Sequence, residues 1–211
     1  MSINIQPCKP GDAEDMIIAG EAAFADDDLN NAIFNPRNGT PEEVAEYRAW
    51  RIARSRQRQS GEGKFYFKAV DESNGRIVGY VGLFTPSVDI GAQQPSAARP
   101  ACMNVEFEKA TMERLDAVEK KWIGDRKDVW YVPSMCVHPE YQGQGIAKRL
   151  LQRGLEEVDK LGQDVLLEGT TAALKLYRSC GFELLEEVVL LDGRYTLGIM
   201  MRRSKGVASA A

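Results

Sequence analysis

The stretch Val137 to Leu151, VHPEYQGQGIAKRLL, has the residue types and spacing to hold an anion. A short apolar run feeds a turn with Gly143 and Gly145, and the turn runs straight into an amphipathic helix. Glycine leaves the backbone bare enough for close approach of a ligand. The first N–H groups of a helix have no partner within it, and the helix dipole adds partial positive charge there. Ala147 keeps the next turn thin, and Lys148 and Arg149 add cations. The natural occupant of such a cradle is a phosphate-bearing ligand.

The elements that must position this turn are readable from periodicity. Ile3 and Ile5 alternate with polar residues as a short strand. Asp12 reads as the N-cap of a helix from Ala13 to about Phe24. An acidic, Asn-rich segment, Asp26 to Asn38, reads as a loop. Thr40-Pro41-Glu42-Glu43 is a capping box with Pro at the first helical position. It opens a helix to about Gln59 carrying Val44, Ala45, Ala49, Ile52 and Ala53 at helical spacing. Lys64–Asp71 and Arg76–Thr85 read as a hairpin around Asn74-Gly75. Pro86 to Pro100 lacks a period and reads as a loop; Val105 to about Trp122 reads as a charged helix.

Val129–Val137 is the next strand, and Pro133 implies a bulge or edge because proline cannot donate to a ladder. The strongest helix runs from Gly143 to about Leu161, with Ala147, Leu150, Leu151, Gly154, Leu155, Val158 and Leu161 on one face. Asp164–Glu168 reads as a strand, Thr171–Ser179 as a helix closed by Gly181, and Phe182–Leu191 with Tyr195–Arg202 as a closing hairpin. The expected class is α+β, a mixed and mostly antiparallel twisted sheet with helices on both faces in three layers. Residues 1–203 read as a single domain, with an insertion over about 86–128 and a flexible tail over 204–211.

Composition excludes several functions. The chain has 211 residues, 44% apolar and 27% charged, with a net charge of -4. It has no global basic field for nucleic acid or anionic membrane, and no apolar run near the roughly 20 residues that span a bilayer. Four separated cysteines and the lack of a signal-like start imply reduced thiols and a cytoplasmic protein. A single histidine, His138, argues against His-rich metal chemistry; no metal is expected.

These residues resemble the GNAT superfamily of N-acetyltransferases. The family's pyrophosphate motif, Q/R-x-x-G-x-G/A, stands here as Gln142-Gly143-Gln144-Gly145-Ile146-Ala147. A second element, a Tyr four residues before Gly-Phe, stands as Tyr177 to Gly181-Phe182. The resemblance covers about Lys64 to Arg202. The segment between Thr85 and Val129 looks like the insertion of many fungal members.

The resemblance implies an acetyl-CoA-dependent enzyme that passes acetyl directly to an amine, either a small molecule or a peptide. Coenzyme contacts would come from Met135, Cys136 and Val137 on a splayed strand, from Gln142, Gly143, Gln144, Gly145, Ile146, Ala147 and Lys148 at the turn, and from Thr170 and Tyr177. Thr170 stands where many members carry Asn. Tyr177 would protonate the leaving thiolate, and Glu168 would take a proton from the amine, directly or through water. Backbone N–H groups near Val137 would polarise the carbonyl.

His138 lies outside the family's catalytic pattern and reads as a loop residue. Asp26-Asp27-Asp28 reads as a solvated loop or helix end near the acceptor site, able to attract a cation. Arg48, Arg51, Arg54 and Arg58 read as a solvated basic face. Two other functions remain open: a non-catalytic acyl-CoA-binding module, and O-acyl transfer. A monomer and a homodimer are both compatible with the sequence.

Overall fold

The computed structural model describes residues 2–89 and 97–204. Seven strands form one sheet in the order β1-β2-β3-β4-β5-β7-β6. They are β1 (Ile3–Pro7), β2 (Lys64–Asp71), β3 (Arg76–Phe84), β4 (Val129–Val137), β5 (Asp164–Thr170), β6 (Glu183–Leu190) and β7 (Tyr195–Arg202). Every pairing is antiparallel except β4 with β5, which is parallel and confined to Val129–Tyr131. Beyond Tyr131 the two strands part, and β5 continues against β7 alone.

Among the described residues six α-helices cover the sheet: α1 (Ala13–Ala23), α2 (Asp28–Ile33), α3 (Pro41–Gln59), α4 (Val105–Trp122), α5 (Ile146–Asp159) and α6 (Leu174–Ser179). α5 packs on one face with Phe67, Val81, Leu83 and Trp130, where Leu150, Leu151 and Val158 are wholly buried. Each such leucine contributes about 1.5–3 kcal/mol. Gly154 lets α5 lie close, because a Cβ there would sit 2.3 Å from Leu83 Cδ1. On the opposite face Met16 of α1 packs with Tyr66, Tyr80, Phe84, Tyr131 and Cys136. The mixed α+β architecture expected from the sequence is present.

Local signals hold where the chemistry is local. The capping box of α3 forms, with Thr40 N–H donating to Glu43 Oε2 at 2.8 Å and Glu43 N–H to Thr40 Oγ1 at 3.3 Å. Three expectations need correction. Asp12 does not cap α1; it closes a 3-10 turn, accepting from Lys9 N–H at 2.6 Å and from Lys68 Nζ at 2.7 Å. The segment Asp26 to Asn38 contains α2, capped by Asp27, which accepts from Asn30 N–H at 2.9 Å.

The third correction is the inward face of α3. Ala45, Ala49 and Ala53 are exposed, whereas Tyr47 and Trp50 are buried. Their large rings bury more area than three alanines would, and that choice rotates the helix. Pro133 falls where the β3–β4 register shifts, between pairs Gly82↔Ser134 and Phe84↔Tyr131, so the bulge expected there is found. Ser204 donates its N–H to Asp164 Oδ1 at 2.8 Å; the rest of the expected tail, and residues 90–96 of the expected insertion, lie outside the described residues. Among the described residues no helix is long and apolar enough to cross a membrane.

Candidate active site

The divergence of β4 from β5 opens a cavity of about 1150 Å³ that reaches both faces of the sheet. On the α5 face it begins at the glycine turn. Gly143 and Gly145 adopt φ of +74° and +75°, and no atom lies within 4 Å of where a Cβ would stand on either. The turn is therefore both left-handed and open above. Gly145 is the N-cap of α5 and has no side chain to close it. The first helical bond runs from Arg149 N–H to Gly145 O at 3.1 Å, so the N–H groups ahead of Arg149 face the opening.

Distant residues hold this turn in place. Gln142 Nε2 donates to Val137 O at 2.9 Å, tying the turn to the end of β4. Tyr141 donates its hydroxyl to buried Asp71 Oδ2 at 2.9 Å, tying it to the β2–β3 hairpin. His138 caps the 3-10 turn Pro139–Tyr141, its Nδ1 accepting from Glu140 N–H at 3.3 Å, and Arg76 Nη2 contacts its Nε2 at 2.8 Å.

Gln142, Gly143, Gly145, Ile146, Ala147 and Lys148 all line the cavity, together with Met135, Cys136, Val137, Thr170 and Tyr177. Ile146 contributes through its backbone, since its side chain is core. Gln144 is not among the lining residues; its Nε2 turns back toward Glu140 O at 3.5 Å. Arg149 also leaves the turn, donating to Ile3 O at 2.7 Å. The cradle thus has one nearby cation, Lys148, where the sequence suggested two.

Tyr177 stands on the α5 side of the opening. Its ring packs on Gly169, where a Cβ would come within 2.6 Å of it, and edge-on to Phe182 at 5.9 Å. Burial, reinforced by the Glu168 carboxylate, pushes its phenol up to about 12. It keeps its proton throughout the physiological range. Cys136 turns its thiol to the α1 face, where burial pushes it up to about 12. It stays a thiol and a poor nucleophile.

Glu168 stands on the far side of the sheet. Tyr131 donates to its Oε2 at 2.7 Å, while Oε1 is sealed from water without a partner. Burial, then the charge of Glu119, raises Glu168 to about 8. Glu119 of α4 is itself buried and raised to about 7 by that burial, and Tyr131's hydroxyl also lies against it. One phenol thus sits between two carboxyl groups that prefer the neutral form.

Sequence reasoning missed Tyr131, Glu119 and the inward turn of Arg51, Arg54 and Arg58. These arginines line the cavity rather than forming a solvated face. Only Arg48 of the four is exposed, paired with Glu21 at 2.7 Å. The signal was available: Trp50, Arg54 and Arg58 share one helical face, and Glu119 falls on the apolar stripe of Met112 and Leu115. Asp27 is a helix end, as expected, and accepts from Tyr195 Oη at 2.6 Å. Asp26 pairs with Arg37 at 2.5 Å.

Residues 28–182 match the family model described as the acetyltransferase (GNAT) family. The chain belongs to that family. Over 53 residues it is 36% identical to the L-methionine sulfoximine/L-methionine sulfone acetyltransferase of Salmonella typhimurium. That match takes in 23% of this chain and spans about a third (31%) of the relative. Among solved structures, a histone acetyltransferase HPA2-related acetyltransferase of Corynebacterium glutamicum superposes with a TM-score of 0.64 at 20% identity, covering 99% of both chains. The yncA acetyltransferase of Salmonella typhimurium, solved with acetyl-CoA, superposes with a TM-score of 0.54 at 19% identity over 100% of this chain and 99% of that one. These two likenesses establish a shared fold.

Proposed function

We propose that this protein is an acetyl-CoA-dependent N-acetyltransferase that transfers acetyl directly to an amine within a ternary complex. One observation carries the reading: a single cavity joins the open glycine turn, the unpaired edge of β4, Tyr177 and Glu168. The residues present fit the coenzyme. The αL glycines with empty space above them and the uncapped start of α5 suit a pyrophosphate, and the free β4 edge suits an amide-bearing arm. Met135, Cys136, Val137, Thr170, Gln142 and the turn through Lys148 would line its path; Gln144 would contribute through its backbone. When bound, the coenzyme supplies an acetyl thioester.

The protein's own groups then divide the work by face. Glu168, once ionised, accepts a proton from the amine on one side of the sheet. Tyr177, neutral, donates a proton to the departing sulfur on the other side. Backbone N–H groups of the β4 edge near Val137 stabilise the oxyanion. Holding both reactants across one opening supplies further acceleration through positioning. Cys136 favours direct transfer, because its thiol is buried on the α1 face and held neutral. Two names support amine acceptors: the Salmonella relative, and an E. coli relative called L-amino acid N-acyltransferase, 38% identical over 53 residues, or 31% of that protein.

The reading extends to a small-molecule or peptide acceptor, a monomer or homodimer, and the cytoplasm as compartment. It includes neither nucleic acid nor membrane. It also keeps residues 1–203 as one domain and about 86–128 as an insertion of the fungal kind. Steady-state thiol release with an amine panel tests the chemistry. Turnover tracking amine concentration is the expected result; background release alone would identify a binding module.

A further inference from the structure

α3 presents to the cavity a stripe of side chains that donate hydrogen bonds and accept none. Trp50, Arg54 and Arg58 recur every fourth residue and line the cavity together. Trp50 Nε1, Arg54 Nε and Arg58 Nε are each sealed from water, and none has a hydrogen-bond partner. A buried donor left unmade costs about 1–3 kcal/mol. Three on one stripe is a cost that a ligand bearing acceptor oxygens would remove.

Charge points the same way. Arg54 stacks over the Trp50 ring at 5.3 Å and is pushed down to about 10, chiefly by burial and then by the neighbouring Arg58. Three guanidinium groups, Arg54, Arg58 and Arg99, gather here. Buried Glu108 pairs with Arg99 and lies 3.7 Å from Arg54. Lys64 is a further cation beside Arg58. The carboxyl facing Arg58 is Glu119, which Arg58 holds lower than burial alone would. Arg58 therefore lies between the cationic stripe and the Glu119–Tyr131–Glu168 cluster.

The stripe is not a second pyrophosphate cradle. Arg54 and Arg58 face Tyr66, whose ring belongs to the α1 face, whereas the glycine turn opens α5 on the other face.

Resting on the acetyltransferase reading, we propose that the acceptor is a zwitterion: an amine carrying a carboxylate or comparable oxyanion. Arg54, Arg58 and Trp50 Nε1 hold the oxyanion, and the amine is presented to Glu168. Guanidinium forks suit the two oxygens of such a group. The stripe thereby excludes cationic polyamines and disfavours neutral monoamines, which would leave its donors unmade.

The test is thiol release by the full chain with acetyl-CoA and paired acceptors: free amino acids, their carboxamides, aminoalkyl phosphonates and simple monoamines. The expected result is a kcat/KM at least tenfold higher for oxyanion-bearing members than for matched carboxamides. The carboxylate and phosphonate arms identify which oxyanion is preferred. Arg58→Met should remove at least tenfold of that preference, read as the ratio of kcat/KM for acid over matched carboxamide at one pH, with acetyl-CoA affinity in place. Arg58→Lys, which keeps charge and loses the fork, should fall between. Equal use of acids and carboxamides, or a preference that survives Arg58→Met, overturns the proposal while leaving the acetyltransferase reading standing. If no member releases thiol, melting of the acetyl-CoA complex with each acceptor decides: no stabilisation specific to the acids overturns it. Failure to bind acetyl-CoA by calorimetry overturns both readings.

Discussion

The glycine turn and the wall opposite it are built from different material. The turn uses consecutive residues, Gln142 to Lys148, and presents backbone N–H groups, so its shape follows from two αL glycines and one helix start. The wall uses side chains from α3, α4, β4 and β5, whose positions run from Trp50 to Glu168. A site made of backbone tolerates change in the side chains around it. A site made of side chains from four elements changes its preference whenever one is replaced. One fold can therefore keep its donor and vary its acceptor.

The sharpest way to break this comparison is to spoil the turn. Gly145→Glu places a carboxylate at the helix start, and should raise the acetyl-CoA dissociation constant more than 100-fold by calorimetry. Nothing lies within 4 Å of the new Cβ, so the chain should fold with a loss of only about 1–2 kcal/mol from the αL backbone. Retained affinity would show that the turn is not the coenzyme site.

Changes in the wall should leave coenzyme affinity intact and strike turnover. Glu168→Gln is expected to lower kcat about 10³-fold, within the range of general-base catalysis. In the native protein, kcat should rise with pH through about 8 as Glu168 ionises, and the Gln variant should lose that limb. Stability carries the opposite sign. Folding raises this carboxyl above its unfolded value of about 4.3, so the folded protein holds the proton more tightly. That contribution is fully present below about 4.3 and is lost as pH rises through about 8. Denaturant midpoints across pH should flatten in Glu168→Gln.

Tyr177→Phe comes next, with kcat falling about 10²-fold and acetyl-CoA affinity changing little; undiminished turnover would remove the general-acid role. Smaller still are shifts without loss of the base. Glu119→Gln removes a charge that holds Glu168 up, so the alkaline limb should move to lower pH. Tyr131→Phe removes a hydrogen bond that holds it down, so the limb should move to higher pH. Movement of both in one direction would deny that this phenol bridges the two carboxyl groups. The smallest effect on activity belongs to Gly154→Ala. It forces Leu83 away from α5 and should cost about 1–3 kcal/mol in denaturant midpoint, with kcat unchanged.

Legibility in the sequence followed how local each determinant was. α3's start, α4, β4 and β7 lie where capping residues and periodicity place them, because those signals act within a few residues. The glycine turn was legible for the same reason. α2 was not, because Asp27 caps a helix of one and a half turns inside a run of polar residues. The inward face of α3 was misread because its apolar stripe is alanine, while the burial comes from Tyr47 and Trp50. Glu119 was hidden in a charged helix. Whether a carboxyl is buried depends on Tyr131 and Glu168, and those come from other strands.

By itself the sequence determined the order of the strands and of every α-helix but α2, the left-handed glycine turn that opens α5, and membership of a family that shares them. These rest on backbone preferences and helix ends, which are set by neighbouring residues. Only the tertiary structure decided that β4 leaves β5 after Tyr131, that Tyr177 and Glu168 meet one cavity from opposite faces, and that Arg54 and Arg58 from α3 face Glu108 and Glu119 from α4. Those outcomes depend on which elements pack together. Burial then sets the charge states, taking Glu168 to about 8 and Tyr177 to about 12, and burial is not a property of any residue read alone.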